Sequence, residues 1–528
     1  MRQAPVVVVL VVGLVAVLST VLAACSSPAE RAATPATGAP PRTPAEPPMS
    51  DPLEYRIDRV SWQAGEAIFL RTGIGDPYRT GVPYPIYLAL LRAYPELFGE
   101  DPQALAAKFG FVVRAADPAS ADRDVREGLP LGLHLTDDPI TGVPFVVHNC
   151  ALCHAERLRW PGGEALVVGL GNKRVRVHDY DAAFAAAARR ADLDVAHLGP
   201  LAAAAAAERG ITWPIDWQLP LLQSTLAALK QRARDRKVFL ERTRGGPPGR
   251  VAPIEAFALA IGAALDRPIA TAPVVGWSKV PDVVGFGART TLSWDGAGEG
   301  PMDVLVVEAD FAAGVRPAWF WAHPLQGASL SAYLRQPERD LPFPGPIDRA
   351  LAARGKALFD DSCAPCHGTY GDDGRVRRYD EQIVPLADLG TDPARADALT
   401  DEFVAAANDP SLTHDLTRTR RTRGYVPPVL TDVWARAPYG HAGQWPSLTI
   451  LATPPARRPT RVVLELDAPY DLVNVGVSTR AAGAGDGNPR PGEYLHDASR
   501  PGLGVLGHPF LADLGADASA VIEYLKTL

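Results

Sequence analysis

Apolar positions recur at helical spacing in several separate stretches of this 528-residue chain. Over residues 348–359, Leu351, Leu358 and Phe359 share one helix face, Asp348 stands at the N-cap position, and the segment runs straight into Cys363. The chain closes on residues 518–528, where Val521, Ile522, Leu525 and Leu528 form one stripe. Further helices are predicted at 85–94, 180–191 and 221–242, with an Ala-rich piece at 201–209. Residues 270–330 keep no sustained period and read as irregular. With 47 glycines and 51 prolines, long connections between helices are expected. The predicted fold class is mainly α with long irregular loops.

The first residues follow a different pattern. Arg2 supplies a short positive region, residues 6–22 are almost unbrokenly apolar, and Leu22-Ala23-Ala24-Cys25 ends the run with small residues before a cysteine. That ending resembles a bacterial lipobox, which makes residues 1–25 a lipoprotein signal peptide and Cys25 a lipidated anchor. The competing reading is an uncleaved membrane helix over 6–24, close to the ~20 residues that span a bilayer. Residues 26–50 hold Ala, Pro, Thr and Ser with few large apolar side chains, and read as a disordered tether. Both readings place the rest of the chain outside the cytoplasm, on the periplasmic or cell-surface side of a bacterial membrane. The formal charge of −7 and the lack of a Lys/Arg run leave no basis for nucleic-acid binding.

Cysteine usage narrows the chemistry. Of five cysteines, Cys25 belongs to the leader and the other four form Cys150-Ala-Leu-Cys153-His154 and Cys363-Ala-Pro-Cys366-His367. In C-x-x-C-H two thiols add across the vinyl groups of one porphyrin and the adjacent His ligates its iron. A zinc ribbon would use neighbouring C-x-x-C pairs without the trailing His, and a redox C-x-x-C needs a βαβ setting that this sequence does not offer. Two covalently bound c-type haems are therefore expected. Residues 51–345 are read as an enlarged N-terminal haem domain and 346–528 as a C-terminal cytochrome c domain, joined at the Pro-rich stretch 341–346.

The sixth iron ligand decides whether a haem carries electrons or binds a small molecule. Methionine is restricted to Met1, Met49 and Met302, so at most one haem has His/Met ligation. Besides His154 and His367, the chain offers His134, His148, His178, His197, His323, His414, His441, His496 and His508. His178, beside Lys173, Arg174 and Arg176, is expected to be solvated. Trp294, Phe311, Trp319, Phe320 and Trp321 are candidate walls of a pocket, with ordinary aromatic core as the competing reading.

The stretch from Gly424 through Pro427-Pro428-Val429-Leu430, Val433-Trp434, Ala437-Pro438-Tyr439-Gly440-His441 and Gly443 to Leu448 resembles the P-x-L-x-x-V-W-x-x-A-P-Y-x-H-x-G turn of the bacterial di-haem cytochrome c peroxidase superfamily. The branch of rubber oxygenases and related di-haem proteins is the nearer likeness. Residues 451–459, Gly507-His508-Pro509 and the closing Ile522 to Leu528 are similar too, as are Val147 to Cys150 and Leu292 to Gly296 upstream. In the peroxidases a Met after this turn completes the second haem, and residues 449–459 contain none. In the rubber oxygenase branch a late His does so, which points to His508, with His441 as the alternative. The same resemblance makes the first haem the reactive one. It also implies a calcium ion between the haem domains, for which Arg436 and Pro438 offer no side-chain ligands.

The function expected from this is an exported di-haem oxidoreductase using O2 or H2O2 at the N-terminal haem, with electron transfer through the C-terminal haem and a small electron-transfer protein as partner. The alternative is a pure electron carrier with both haems six-coordinate. A haem-bearing sensor is a third, weaker reading.

Overall fold

The computed structural model of the chain describes residues 52–335, 341–483, 486, 490 and 492–528. The expected signal peptide, Cys25 and the expected tether lie outside the described residues. Among the described residues, no helix is long and apolar enough to cross a membrane.

Several helices form where the apolar spacing places them. They occupy Tyr84–Ala93, Val177–Ala188, Val195–Glu208, Arg349–Ser362 and Ala518–Leu525. Asp348 caps the fourth of these, its carboxylate accepting from the N–H groups of Ala350 and Leu351. The segment predicted at 221–242 is two helices, Ile215–Asp235 and Lys237–Thr243, that meet at Arg236. Residues 270–301 are irregular apart from two-residue strands and a 3-10 turn at Phe286–Ala288, but Met302–Glu308, Pro317–Trp321 and Pro324–Leu334 are helical. Short helices with few polar residues between apolar ones carry too little periodicity to be seen in the sequence.

The expectation of a mainly α fold is corrected by the sheets. The structure is 44% helical and 13% strand, a mixed α/β fold with several small sheets. Leu133–Asp137 pairs antiparallel with Pro144–His148, which also pairs with Val82–Pro83. Ala155–Trp160 pairs with Gly163–Val168 through a Pro161-Gly162 turn, with Gly162 at φ +95. Only a glycine takes that φ without strain. Arg461–Glu465 is the central strand between Thr479–Ala481 and Glu493–Asp497. These strands are two to six residues long and mostly half-buried, so their alternation is short and easily lost among loop residues.

Two helix crossings tie distant parts of the chain. Pro52–Arg71 packs on Pro324–Leu334, and Arg349–Ser362 packs on Ala518–Leu525. Each crossing turns on a glycine: a Cβ on Gly65 would fall 1.9 Å from the Ser329 carbonyl oxygen, and one on Gly355 would fall 1.8 Å from that of Ala520. Around these crossings lie three large apolar cores. One gathers Tyr84, Phe98, Phe145 and Leu222. A second joins Phe359, Trp434, Tyr470 and Val521 with Leu158 and Val167 of the early hairpin. A third contains Phe69, Phe311 and Tyr333. At ~1.5–3 kcal/mol for each large side chain fully buried, these cores are the main stabilising term.

Candidate functional site

The two C-x-x-C-H motifs are presented by different local structures. Pro144–His148 leads into the first, where the Asn149 side chain accepts from the Ala151 N–H and caps a single turn over Cys150–Leu152. The hairpin beginning at Ala155 follows at once, and the Gly169 N–H donates to the His154 carbonyl at 2.7 Å. The second motif is fed by the Arg349–Ser362 helix and forms a one-turn helix over Ala364–His367. The strand-led entry at Cys150 had no clear signal, because the apolar run of Val143 to Val147 has no helical period.

The two imidazoles are held alike. His154 Nδ1 lies 2.9 Å from the Pro281 carbonyl oxygen, and His367 Nδ1 lies 2.8 Å from that of Pro428. A carbonyl only accepts, so Nδ1 is the protonated nitrogen and Nε2 keeps its lone pair in both rings. A metal-ligating histidine is normally oriented in this way, its remote N–H fixed by a carbonyl or carboxylate. Burial lowers the pKa of both rings, which keeps them in the neutral, ligating form. The four cysteines are free thiols. Burial raises Cys153 to about 12 and Cys363 to about 11, so the groups that would add to vinyl carbons are neutral rather than thiolates.

Both motifs open onto one continuous cavity of about 1720 Å³. That exceeds the ~300–1,000 Å³ of ordinary small-molecule sites. Cys150, Cys153, His154, Cys363, Cys366 and His367 all line it, as do His441 and His508. The His508 ring sits 6.3 Å from the His367 ring, centroid to centroid. Metal–imidazole bonds run ~2.0–2.1 Å and a ring centre lies about 1 Å behind its nitrogen, so two imidazoles on one metal have centres roughly 6 Å apart. The observed spacing fits a shared metal. His508 is set in place by its loop: its N–H donates to Leu389, and Arg458 donates to the carbonyls of Val505, Gly507 and His508. His508 itself takes φ +45. The anchoring role of Arg458 carried no sequence signal, because its partners are all main-chain oxygens. His441 is placed differently, stacked on Tyr425 at 4.3 Å with an interplanar angle of 14°.

Among the described residues, His154 makes a ring contact with Phe69 at 6.5 Å, a side chain with no donor atom. Of the aromatic candidates, Trp294, Phe311 and Trp321 line the cavity. Trp294 Nε1 donates to the Lys279 carbonyl at 3.1 Å, and Trp321 stacks on His414 at 4.2 Å. Trp319 stacks on His323 and lines a separate small cleft with Asp76 and Thr80. The Phe320 side chain lies outside the described residues. His178 is half-buried and packed rather than solvated: its Nε2 accepts from the Ala252 N–H at 3.0 Å, and Phe239 and Trp277 meet its ring edge-on. Asp310 was not foreseen. It lines the cavity without a side-chain hydrogen bond or ion pair among the described residues, and burial pushes its carboxyl up to about 7. No group of three or more His, Cys, Asp or Glu side chains among the described residues gathers as a metal site.

Residues 424–462 match the family described as RoxA-like, cytochrome c-like. The match falls on the segment that contains Trp434, Pro438, Tyr439, His441 and Gly443. It supports the rubber oxygenase-like side of the resemblance and does not extend the di-haem peroxidase superfamily to the whole chain. The chain thus contains a cytochrome c-like domain, which implies covalently bound c-type haem. Two uncharacterized proteins of Sinorhizobium fredii (strain NBRC 101917 / NGR234) are also similar. One, y4iM, is 32% identical over 35% of this chain and 50% of its own length; the other, y4iJ, is 26% identical over 37% of this chain and 41% of its own. The chain thus spans half or less of the length of these relatives.

Proposed function

We propose that this chain is an exported, lipid-anchored di-haem c-type cytochrome and an oxidoreductase. In this reading Cys150, Cys153 and His154 hold a reactive haem, and Cys363, Cys366, His367 and His508 hold an electron-transferring one. When bound, such haems supply the one-electron and O2 or H2O2 chemistry, while the protein contributes ligation, access and environment.

The observation that carries the reading is the contrast between the two histidines. His367 faces the nitrogen-bearing ring of His508 at 6.3 Å, and the ring at comparable distance from His154 is the phenyl of Phe69. Both imidazoles of the His367–His508 pair would serve as iron ligands, whereas the Phe69 phenyl offers no donor atom beside His154. Phe311 and Trp321 pack in the same apolar cluster as Cys150, and with Trp294 they line the cavity. Burial pushes the Asp310 carboxyl up to about 7, so it is only partly ionised near neutral pH. Pro281 and Pro428 fix the two ligating rings through their carbonyls.

The test is spectroscopic, on holoprotein made in a host that attaches haem c. We expect two haems per chain by pyridine haemochrome and one after Cys150→Ala with Cys153→Ala. One haem is expected to be low-spin, and one to change on adding carbon monoxide or peroxide; His508→Ala should make the second respond as well. If both haems are low-spin and neither responds to oxygen, peroxide or carbon monoxide, the chain is an electron carrier and the oxidoreductase reading fails. Anchoring is tested separately: Cys25→Ala should release the protein from membranes.

A further inference from the structure

The cavity wall contains several arginines; Arg316 is exposed to solvent, and among the others their partners separate one from the rest. Arg79 pairs with Asp76, Arg232 and Arg236 with Asp181, Arg289 with Glu381, and Arg395 with Asp295. Two other buried arginines, Arg250 and Arg458, direct their guanidinium groups at main-chain carbonyls. Arg436 does neither. It lines the cavity, is 7% exposed and donates from Nη1 to the Val429 carbonyl at 2.7 Å. Its Nε and Nη2 are buried with no hydrogen-bond partner.

An arginine fixed on one side and bare on the other is costly unless an anion meets the bare edge. The bare edge has a definite shape. Nε and Nη2 point their N–H bonds the same way and receive the two oxygens of a carboxylate side by side. The surroundings say where that carboxylate would belong. Val429 follows Pro428, whose carbonyl holds His367. A Cβ on Gly285 would lie 3.9 Å from Arg436 Nη2, and Gly285 belongs to the same loop as Pro281, whose carbonyl holds His154. Arg436 therefore stands beside both of the loops that orient the two ligating histidines. No carboxylate of the described residues pairs with it.

Resting on the di-haem reading, we infer that Arg436 is the binding site for a carboxylate of the cofactor itself, a porphyrin propionate, clamped by Nε and Nη2 at the junction of the two motif loops. The guanidinium neutralises that carboxylate inside the cavity. Without it the anion stands uncompensated near iron and favours the oxidised, more positive state. A free anion from solution would satisfy the same edge, and the test separates the two sources.

The experiment is a spectroelectrochemical titration of the holoprotein, wild type against Arg436→Met and Arg436→Lys. The haem count of the wild type is measured first, since a single haem would overturn the di-haem reading rather than this inference. Arg436→Met is expected to lower the midpoint potential of one haem by at least a tenfold change in its reduction equilibrium, 59 mV for one electron. Arg436→Lys, which keeps the charge, should restore most of it. Unchanged potentials in Arg436→Met, or equal shifts in both variants, overturn the inference. A wild-type potential that changes when chloride replaces phosphate at constant ionic strength assigns the edge to a free anion and also overturns it. If Arg436→Met fails to assemble, resonance Raman spectra of wild type and Arg436→Lys decide: a shifted propionate bending band supports the clamp and an identical band overturns it.

Discussion

Asp310 is the residue whose ionisation departs furthest from an ordinary aspartate without a partner to explain it. Its normal pKa of 3.8 rises to about 7, and burial is the cause. Between these values the folded chain keeps a proton that the unfolded chain has released. Stability on this account is full below pH 3.8 and falls as pH rises toward 7, by up to about 1.4 kcal/mol per pH unit. Asp310→Asn keeps the shape without the titration. We expect its stability in urea to match the wild type near pH 4 and to exceed it increasingly toward pH 7, where the difference levels off. Equal pH slopes in the two proteins would show that the carboxyl is not desolvated as the cavity implies. Glu308 is also raised to about 7 by burial, and a Thr417 hydroxyl donates to it at 2.6 Å. The single Asp310 substitution should therefore remove only part of the slope.

At the scale of elements, the second motif depends on a helix crossing. The Arg349–Ser362 helix ends at Cys363, and its position is set by close approach to Ala518–Leu525 at Gly355. Gly355→Ala puts a methyl group 1.8 Å from a carbonyl oxygen, so the helices must separate. Overpacking of this kind costs about 1–3 kcal/mol. We expect a lower melting temperature with haem still attached; an unchanged melt would mean the crossing yields freely. The apolar stripe that predicted both helices was readable in the chain. The glycine's role was not, because a small residue in a helix looks the same in sequence whether it faces a neighbour or solvent. For the same reason the first motif's setting was missed: a short strand pair brings Cys150 into place, and five-residue strands leave little pattern.

Across the whole molecule, acid sensitivity is built in. His178, half-buried, and His496, buried, lie outside the two motifs, with pKa values lowered to about 4 and about 3, mainly by loss of solvent. As pH falls below 6.5 the unfolded chain binds protons that the folded chain refuses, so stability falls toward pH 4, by up to about 1.4 kcal/mol per pH unit for each ring. Protonating His178 Nε2 also forfeits the bond it accepts from Ala252. Because Asp310 and Glu308 act in the opposite sense over this range, the measurable quantity is the difference between proteins: from pH 7 to 4, His178→Gln should lose less stability, or gain more, than the wild type. Identical pH slopes in the wild type and His178→Gln would count against a neutral His178 ring in the folded chain.

The sequence by itself determined the chemistry that can be attached, because C-x-x-C-H needs only five neighbouring residues to bring two thiols and an imidazole to one porphyrin. It likewise determined the helices with a long apolar stripe and the cap at Asp348, which are local properties of the chain. Only the tertiary structure decided what faces what. His508 lies far along the chain from His367, yet a loop held by Arg458 sets their rings 6.3 Å apart. His441, equally eligible by residue type, is turned onto Tyr425. Both motifs open onto one cavity, and Arg436 keeps a bare guanidinium edge in its wall. Such pairings arise from packing between segments remote in sequence, and packing leaves no periodic trace in either segment alone.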